Sequence, residues 1–282
     1  MRIANLSGRL TLLIDDLAVD VEKASDGLFS ADTQAVYGRW EEFRAWAAAA
    51  EAQLPRGTEF DPADLGSPAP APRQLIAAGL NYRDHAAEAG FELPDRMPPV
   101  FTKFTSSITG PVTEVSLPSG GHTDWEIELV VIVGAPTHRI AAKDGWKHVA
   151  GLAVGQDLSE RITQLDGPSP QFSLGKSFPG FAPIGPWLVT PDELENPDDL
   201  ELRCTLNGEQ VQKSRTSEMI FSVPDLLARL SSVVPLSPGD VIFTGTPAGV
   251  GIGQNPPHWI SVGDELVSTI EGIGELRQRF TG

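Results

Sequence analysis

Apolar side chains fall into short runs divided by turn residues along most of this chain. Residues 2–5, 9–14 and 17–21 alternate apolar and polar positions, the period of a half-buried strand, and predict a small β-meander. Residues 33–52 predict a helix ending in a run of alanines. Proline and glycine then recur between 54 and 72, which is the composition of a linker. Beyond it, strands are predicted over 75–80, 100–104, 127–133, 149–157, 187–189, 200–206, around Val211, and over 240–244 and 265–270. A short helix is predicted over 82–89. A longer one is predicted over 222–233, with Val223, Leu226, Leu227 and Leu230 on one face. The expected organisation is a small N-terminal β/α domain over 1–52, a Pro/Gly-rich linker over 53–72, and a β-dominated main domain over 73–282.

Composition narrows the functional classes. A chain of 282 residues has room for one large domain and a small appendage. Its formal net charge of −17 argues against nucleic acid and anionic membrane surfaces as partners. No apolar run approaches the ~18 residues of a membrane span, and the first residues carry no apolar core of a signal peptide. Cys204 is the only cysteine, which rules out intramolecular disulfides and suits a cytoplasmic protein. With no cysteine cluster and no His-x-x-x-His spacing, a structural zinc site is not expected.

The first candidate chemistry is Glu126 and Glu128, which lead into the apolar run Leu129 to Val133. Residues two apart on a strand share a face, so the two carboxylates are pushed together at the edge of a core strand. Burying paired like charges is costly. Two readings follow from the spacing. The strand end is exposed and both groups are solvated, or a hard divalent cation sits between them.

Four further segments accompany this pair. They are Ala78-Gly-Leu-Asn-Tyr-Arg-Asp-His-Ala-Ala-Glu88, Val154-Gly-Gln-Asp-Leu-Ser-Glu-Arg-Ile-Thr-Gln164, Leu174-Gly-Lys-Ser-Phe-Pro-Gly-Phe-Ala-Pro-Ile-Gly-Pro186, which contains Lys176, and Gly245-Thr-Pro-Ala-Gly-Val-Gly251. In this order, over about residues 75–280, the chain resembles the fumarylacetoacetate hydrolase family. The resemblance implies an α+β, β-dominated fold, the family's mixed β-sandwich roll, carrying a small N-terminal domain. It implies Glu126, Glu128 and Asp157 as ligands of Mg²⁺ or Mn²⁺, with Ca²⁺ as an alternative. It implies His85 and Glu88 as a water-activating pair on a lid over 81–96, with Lys176 as the third catalytic residue. Arg161, Gln164 and Thr246 match positions that face the substrate. Lys103 also falls on a family pattern, whereas Gln212 and Thr216 read as structural or dimer-related.

The founding member's additional aspartate and tyrosine have no clear counterparts here, and Pro168 stands where the tyrosine would fall. The resemblance is therefore closer to the smaller acylpyruvate-type members. It implies metal-dependent hydrolysis of a C–C bond in a 2,4-diketo acid by a homodimer whose partner is a small 2-oxo acid. Oxaloacetate decarboxylation, hydration or isomerisation of a 2-oxo acid, and a catalytically weak metal-stabilised binding protein are the alternatives.

Overall fold

The computed structural model describes residues 1–50, 54–90, 92–93 and 95–282. Most of the chain builds two facing sheets. The large sheet uses β1 (Arg2–Leu6), β2 (Arg9–Ile14), β3 (Leu17–Asp20), β4 (Leu75–Ala78) and β5 (Val100–Thr102). The smaller sheet begins with β6 (Val112–Ser116). The large sheet continues with β7 (Ile127–Val133), β8 (Val149–Gln156) and β9 (Ala182–Val189). Next come β10 (Glu201–Leu206) and β11 (Glu209–Arg215), then β12 (Val241–Phe243), β13 (Glu265–Ile270) and β14 (Gly274–Thr281). The large sheet runs β3-β2-β1-β9-β8-β7-β12-β4-β5, and the smaller runs β11-β10-β13-β14-β6. Pairing is mostly antiparallel, but β12 lies parallel to β4 and β14 parallel to β6, so both sheets are mixed. The fold is thus the β-dominated α+β class expected from the sequence.

β7 explains its own sequence. All seven of its residues are buried. Leu129, Val131 and Val133 pack with Leu202, Leu266 and Leu276 of the smaller sheet, whereas Val130 and Ile132 pack with Trp40, Phe43 and Phe243 on the other face. A strand covered on both faces reads as an unbroken apolar run instead of an alternation. The helix Val223–Ser231 adds Leu226, Leu227 and Leu230 to the first of these cores, and the helix Trp40–Ala50 adds Trp40, Phe43 and Ala47 to the second.

The N-terminal strands extend the large sheet, with Arg2 opposite Val189 and Ile3 opposite Leu188. Ile3, Leu10 and Trp40 share one cluster with Leu75, Val130 and Phe243. The domain boundary expected at 52/53 falls on residues 51–53, outside the described residues, as do positions 91 and 94 of the expected lid segment. The long helix expected over 33–52 starts instead with a 3₁₀ turn, Ala35–Arg39, and is α-helical over Trp40–Ala50.

Candidate active site

Antiparallel pairing of β7 with β8 assembles the carboxylates. Ile127 lies opposite Gln156 and Glu128 opposite Gly155, so the start of β7 meets the end of β8. The Asp157 N–H donates to the Glu126 carbonyl at 2.9 Å and continues the ladder past the last paired residues. Glu126, Glu128 and Asp157 are all buried, and one oxygen from each lies within 4.8 Å of the others.

Three buried cations surround them. Lys176 Nζ donates to Glu126 Oε2 at 2.6 Å and to Asp157 Oδ2 at 2.9 Å. Lys103 Nζ donates to Asp157 Oδ1 at 2.5 Å. Arg161 Nη2 donates to Glu126 Oε1 at 2.8 Å and to Asp124 Oδ2 at 2.6 Å. Burial alone would raise the Glu126 carboxyl, but Lys176 and Arg161 outweigh it and hold it at about 2. Burial lowers the Lys103 ammonium, and repulsion from Lys176 cancels part of the support from Asp157. The Lys176 ammonium is held above its ordinary value because Asp157 and Glu126 overcome the cost of its burial.

Glu128 is the exception. Among the described residues it has no lysine or arginine within ion-pair distance, and its hydrogen-bond donor is the Gly245 N–H, at 2.7 Å. Burial, followed by repulsion from Asp157 and Glu126, pushes its carboxyl well above the ordinary range. Three convergent carboxylates, one of them without a cation, form a hard oxygen donor set that fits Mg²⁺, Mn²⁺ or Ca²⁺. Gly245 makes the approach to Glu128 possible. Its φ is +101°, and a Cβ there would lie 2.7 Å from the Asn81 Cβ.

Beside this cluster opens a cavity of about 660 Å³. His85, Glu88, Glu126, Glu128, Arg161, Gln164, Lys176 and Thr246 all line it. His85 and Glu88 sit on the short helix Arg83–Glu88, three residues apart. His85 Nδ1 lies 3.0 Å from Glu88 Oε2, and the two side chains are 14% and 19% exposed. Glu88 Oε1 accepts the Gly249 N–H at 3.0 Å. Asn81 anchors the approach to this helix by donating to the Phe221 and Thr244 carbonyls and accepting the Phe221 N–H. Gln164 Oε1 accepts from Arg161 Nη1 at 2.8 Å.

The hydroxyl of Thr246 donates to the Ile127 carbonyl and accepts from Gln212 Nε2, each at 2.8 Å, so its proton is committed inside the protein. Gln212 also accepts the Ile127 N–H, bracing β7 against the Thr246 loop. Thr216 caps a backbone N–H of Leu200 away from the cavity. His122, His138 and His258 are exposed, and His148 is half-buried against the Thr137 hydroxyl.

Sequence reasoning overlooked Asp124. It is fully buried and accepts five hydrogen bonds. Two come from Arg161 Nε and Nη2, and three from the N–H groups of Trp125, Gly251 and Ile252. It ties Arg161 to the loop that Glu88 also grips. The available signal was an acidic residue two positions before Glu126, extending the same alternation. Lys103, noted but given no role, is fully buried and joins the ionic network through Asp157.

The fumarylacetoacetate (FAA) hydrolase C-terminal family model matches residues 74–281. Human mitochondrial oxaloacetate tautomerase FAHD2A is 43% identical over 211 residues, covering 74% of this chain and 67% of its own length. A Mycobacterium smegmatis protein provisionally described as HpcE is 55% identical, with a TM-score of 0.95 over 100% of this chain and 99% of that one. Maleylpyruvate hydrolase from Sphingobium sp. SYK-6, solved with manganese(II) and pyruvate, is 27% identical, with a TM-score of 0.81 over 100% and 99% of the two chains.

Proposed function

The chain belongs to the fumarylacetoacetate hydrolase family, and from that premise we propose that it is a divalent-metal-dependent hydrolase cleaving a C–C bond of an acylpyruvate-type 2,4-diketo acid. The observation that carries this reading is the His85–Glu88 pair lining the same cavity as the three-carboxylate cluster. Glu126, Glu128 and Asp157 would hold the ion, Mg²⁺ or Mn²⁺. When bound, it supplies Lewis-acid polarisation of the 2-oxo acid.

Glu88, fixed by the Gly249 N–H, accepts from His85 Nδ1 and so leaves Nε2 as the basic nitrogen. That nitrogen takes a proton from water as the oxygen adds to the carbonyl farther from the carboxylate. The bond between this carbonyl carbon and its neighbouring CH₂ then breaks. Its electron pair passes to the pyruvate enolate, which regains a proton at carbon from the imidazolium. The products are pyruvate and a carboxylic acid. Lys176 and Arg161 stabilise the negative charge carried by substrate and enolate.

A second reading, proton transfer on a 2-oxo acid without C–C cleavage, is favoured by the likeness to an oxaloacetate tautomerase. It uses the same histidine but needs no attacking water. The deciding experiment offers acylpyruvates and oxaloacetate to the purified protein after chelation and again with Mg²⁺ or Mn²⁺ restored. Metal-dependent release of pyruvate from an acylpyruvate is expected. Accelerated keto–enol exchange of oxaloacetate with no acylpyruvate cleavage would select the second reading. Full activity after chelation would overturn the role of the ion.

A further inference from the structure

The cavity lining is of two kinds. Its cations are already engaged, Lys176 with Glu126 and Asp157, and Arg161 with Asp124, Glu126 and Gln164. The rest of the lining is largely apolar. Phe101 begins this wall, with its ring 5.2 Å from Lys176 Nζ, and Phe172 continues it, ring centroids 5.6 Å apart. Pro99, Val250 and Ile252 also line the cavity, and Ile252 is 39% exposed at the protein surface. Among the described residues, no lysine or arginine lines the cavity other than Arg161 and Lys176. The charged side chain outside the ionic cluster is that of Glu88, whose carboxylate would repel an anion. Arg83, on the same helix, turns away and donates to the Glu218 and Met219 carbonyls.

We propose that this site selects 2-oxo acids bearing a single carboxylate and an uncharged alkyl or aryl tail, and discriminates against dicarboxylates. The proposal deepens the functional reading above and rests on it for the 2-oxo acid head. One carboxylate has a place, beside Lys176, Arg161 and the ion. A second would be drawn out of water against phenylalanine, proline and branched aliphatic side chains, with no cation to meet it. An apolar tail in the same place gains from leaving water. The volume supports a tail of some size, since about 660 Å³ lies within the range of cavities that enclose drug-sized ligands. A four-carbon diacid would leave most of that apolar wall untouched.

Two inert ligands with one head group test this without turnover. N-propyloxamate and N-oxalylglycine share the oxamate head and differ in an apolar or a carboxylate tail. Binding of each to the Mg²⁺- or Mn²⁺-loaded protein would be measured by calorimetry. N-propyloxamate should bind tighter by about 10- to 100-fold. Equal affinity, or preference for N-oxalylglycine, would overturn the selectivity while leaving the 2-oxo acid reading intact. Failure of both to bind would overturn that reading and the selectivity with it. Phe172→Arg places a cation on the apolar wall from a half-exposed loop, and should shift the ratio toward N-oxalylglycine by about tenfold. If that variant folds and the ratio stays put, Phe172 does not face the tail and the proposed wall is wrong. If it does not fold, the wild-type comparison alone decides.

Discussion

At the scale of single residues, two side chains carry separable expectations. His85 has one ring nitrogen held by Glu88 and the other free for water, so His85→Ala should cut acylpyruvate hydrolysis by about 10²–10⁴-fold with metal affinity near normal. Glu88→Gln should act in the same direction. Wild-type rates in both variants would remove the water-activation role. Asp124 is not one of the three carboxylates of the cluster but fixes Arg161 and the N–H groups of Gly251 and Ile252. Asp124→Asn should cost about 2–3 kcal/mol in urea unfolding, because Arg161 keeps Glu126 as a partner and the loop loses a charged acceptor. It should also be non-additive with Arg161→Lys in kcat/KM. An unchanged unfolding midpoint together with additive kinetics would exclude the clamp. Glu126 and Glu128 were legible from their spacing at the head of an apolar run, whereas Asp157 and Lys176 entered only through the resemblance to the family. Asp124 was not legible, since its importance depends on Arg161 and Gly251, 37 and 127 positions away.

At the scale of elements, the helix Arg83–Glu88 is held to the cavity wall mainly by polar contacts. Ala86 is its buried residue, and Glu88 reaches the Gly249 N–H. Gly253 lies so near that a Cβ there would come 2.6 Å from the Glu88 carboxyl carbon. An element with so little apolar anchorage opens at low cost. Hydrogen-exchange protection over residues 83–88 should therefore rise when oxalate binds, and equal protection with and without it would rule out a lid. Sequence patterning located β7 to the residue because its apolar run is unbroken and ends at a glycine, and the bounds it gave β13 are those of the structure. It missed β14, whose buried side chains include the polar Gln278 between Leu276 and Phe280, and β6, where Val115 is the one residue buried. It also could not foresee that β1 joins β9, because pairing across that distance leaves no local pattern.

At the scale of the whole molecule, the edge strand β5 and its neighbours carry exposed apolar side chains, Val100, Phe104, Leu174, Ile162 and Leu165. Their segments are linked by the Phe104 N–H donating to Ser177 and the Glu160 N–H donating to the Gly175 carbonyl. A second copy of the chain would cover this edge. Light scattering at micromolar concentration should give about twice the 30.2 kDa chain mass, and a monomer would refute the homodimer. The sheet order also has a consequence for how the protein is made. Ile3 pairs with Leu188, so 185 further residues must be added after Ile3, Leu188 included, before that contact can form. At 5–20 residues per second, this is about 10–40 s of translation. Throughout that interval β1 has no β9 beside it, and Ile3 and Leu10 wait without the Ala182, Ile184 and Leu188 side chains that later enclose them. The nascent meander is thus the stretch on which a ribosome-associated chaperone has the longest time to act.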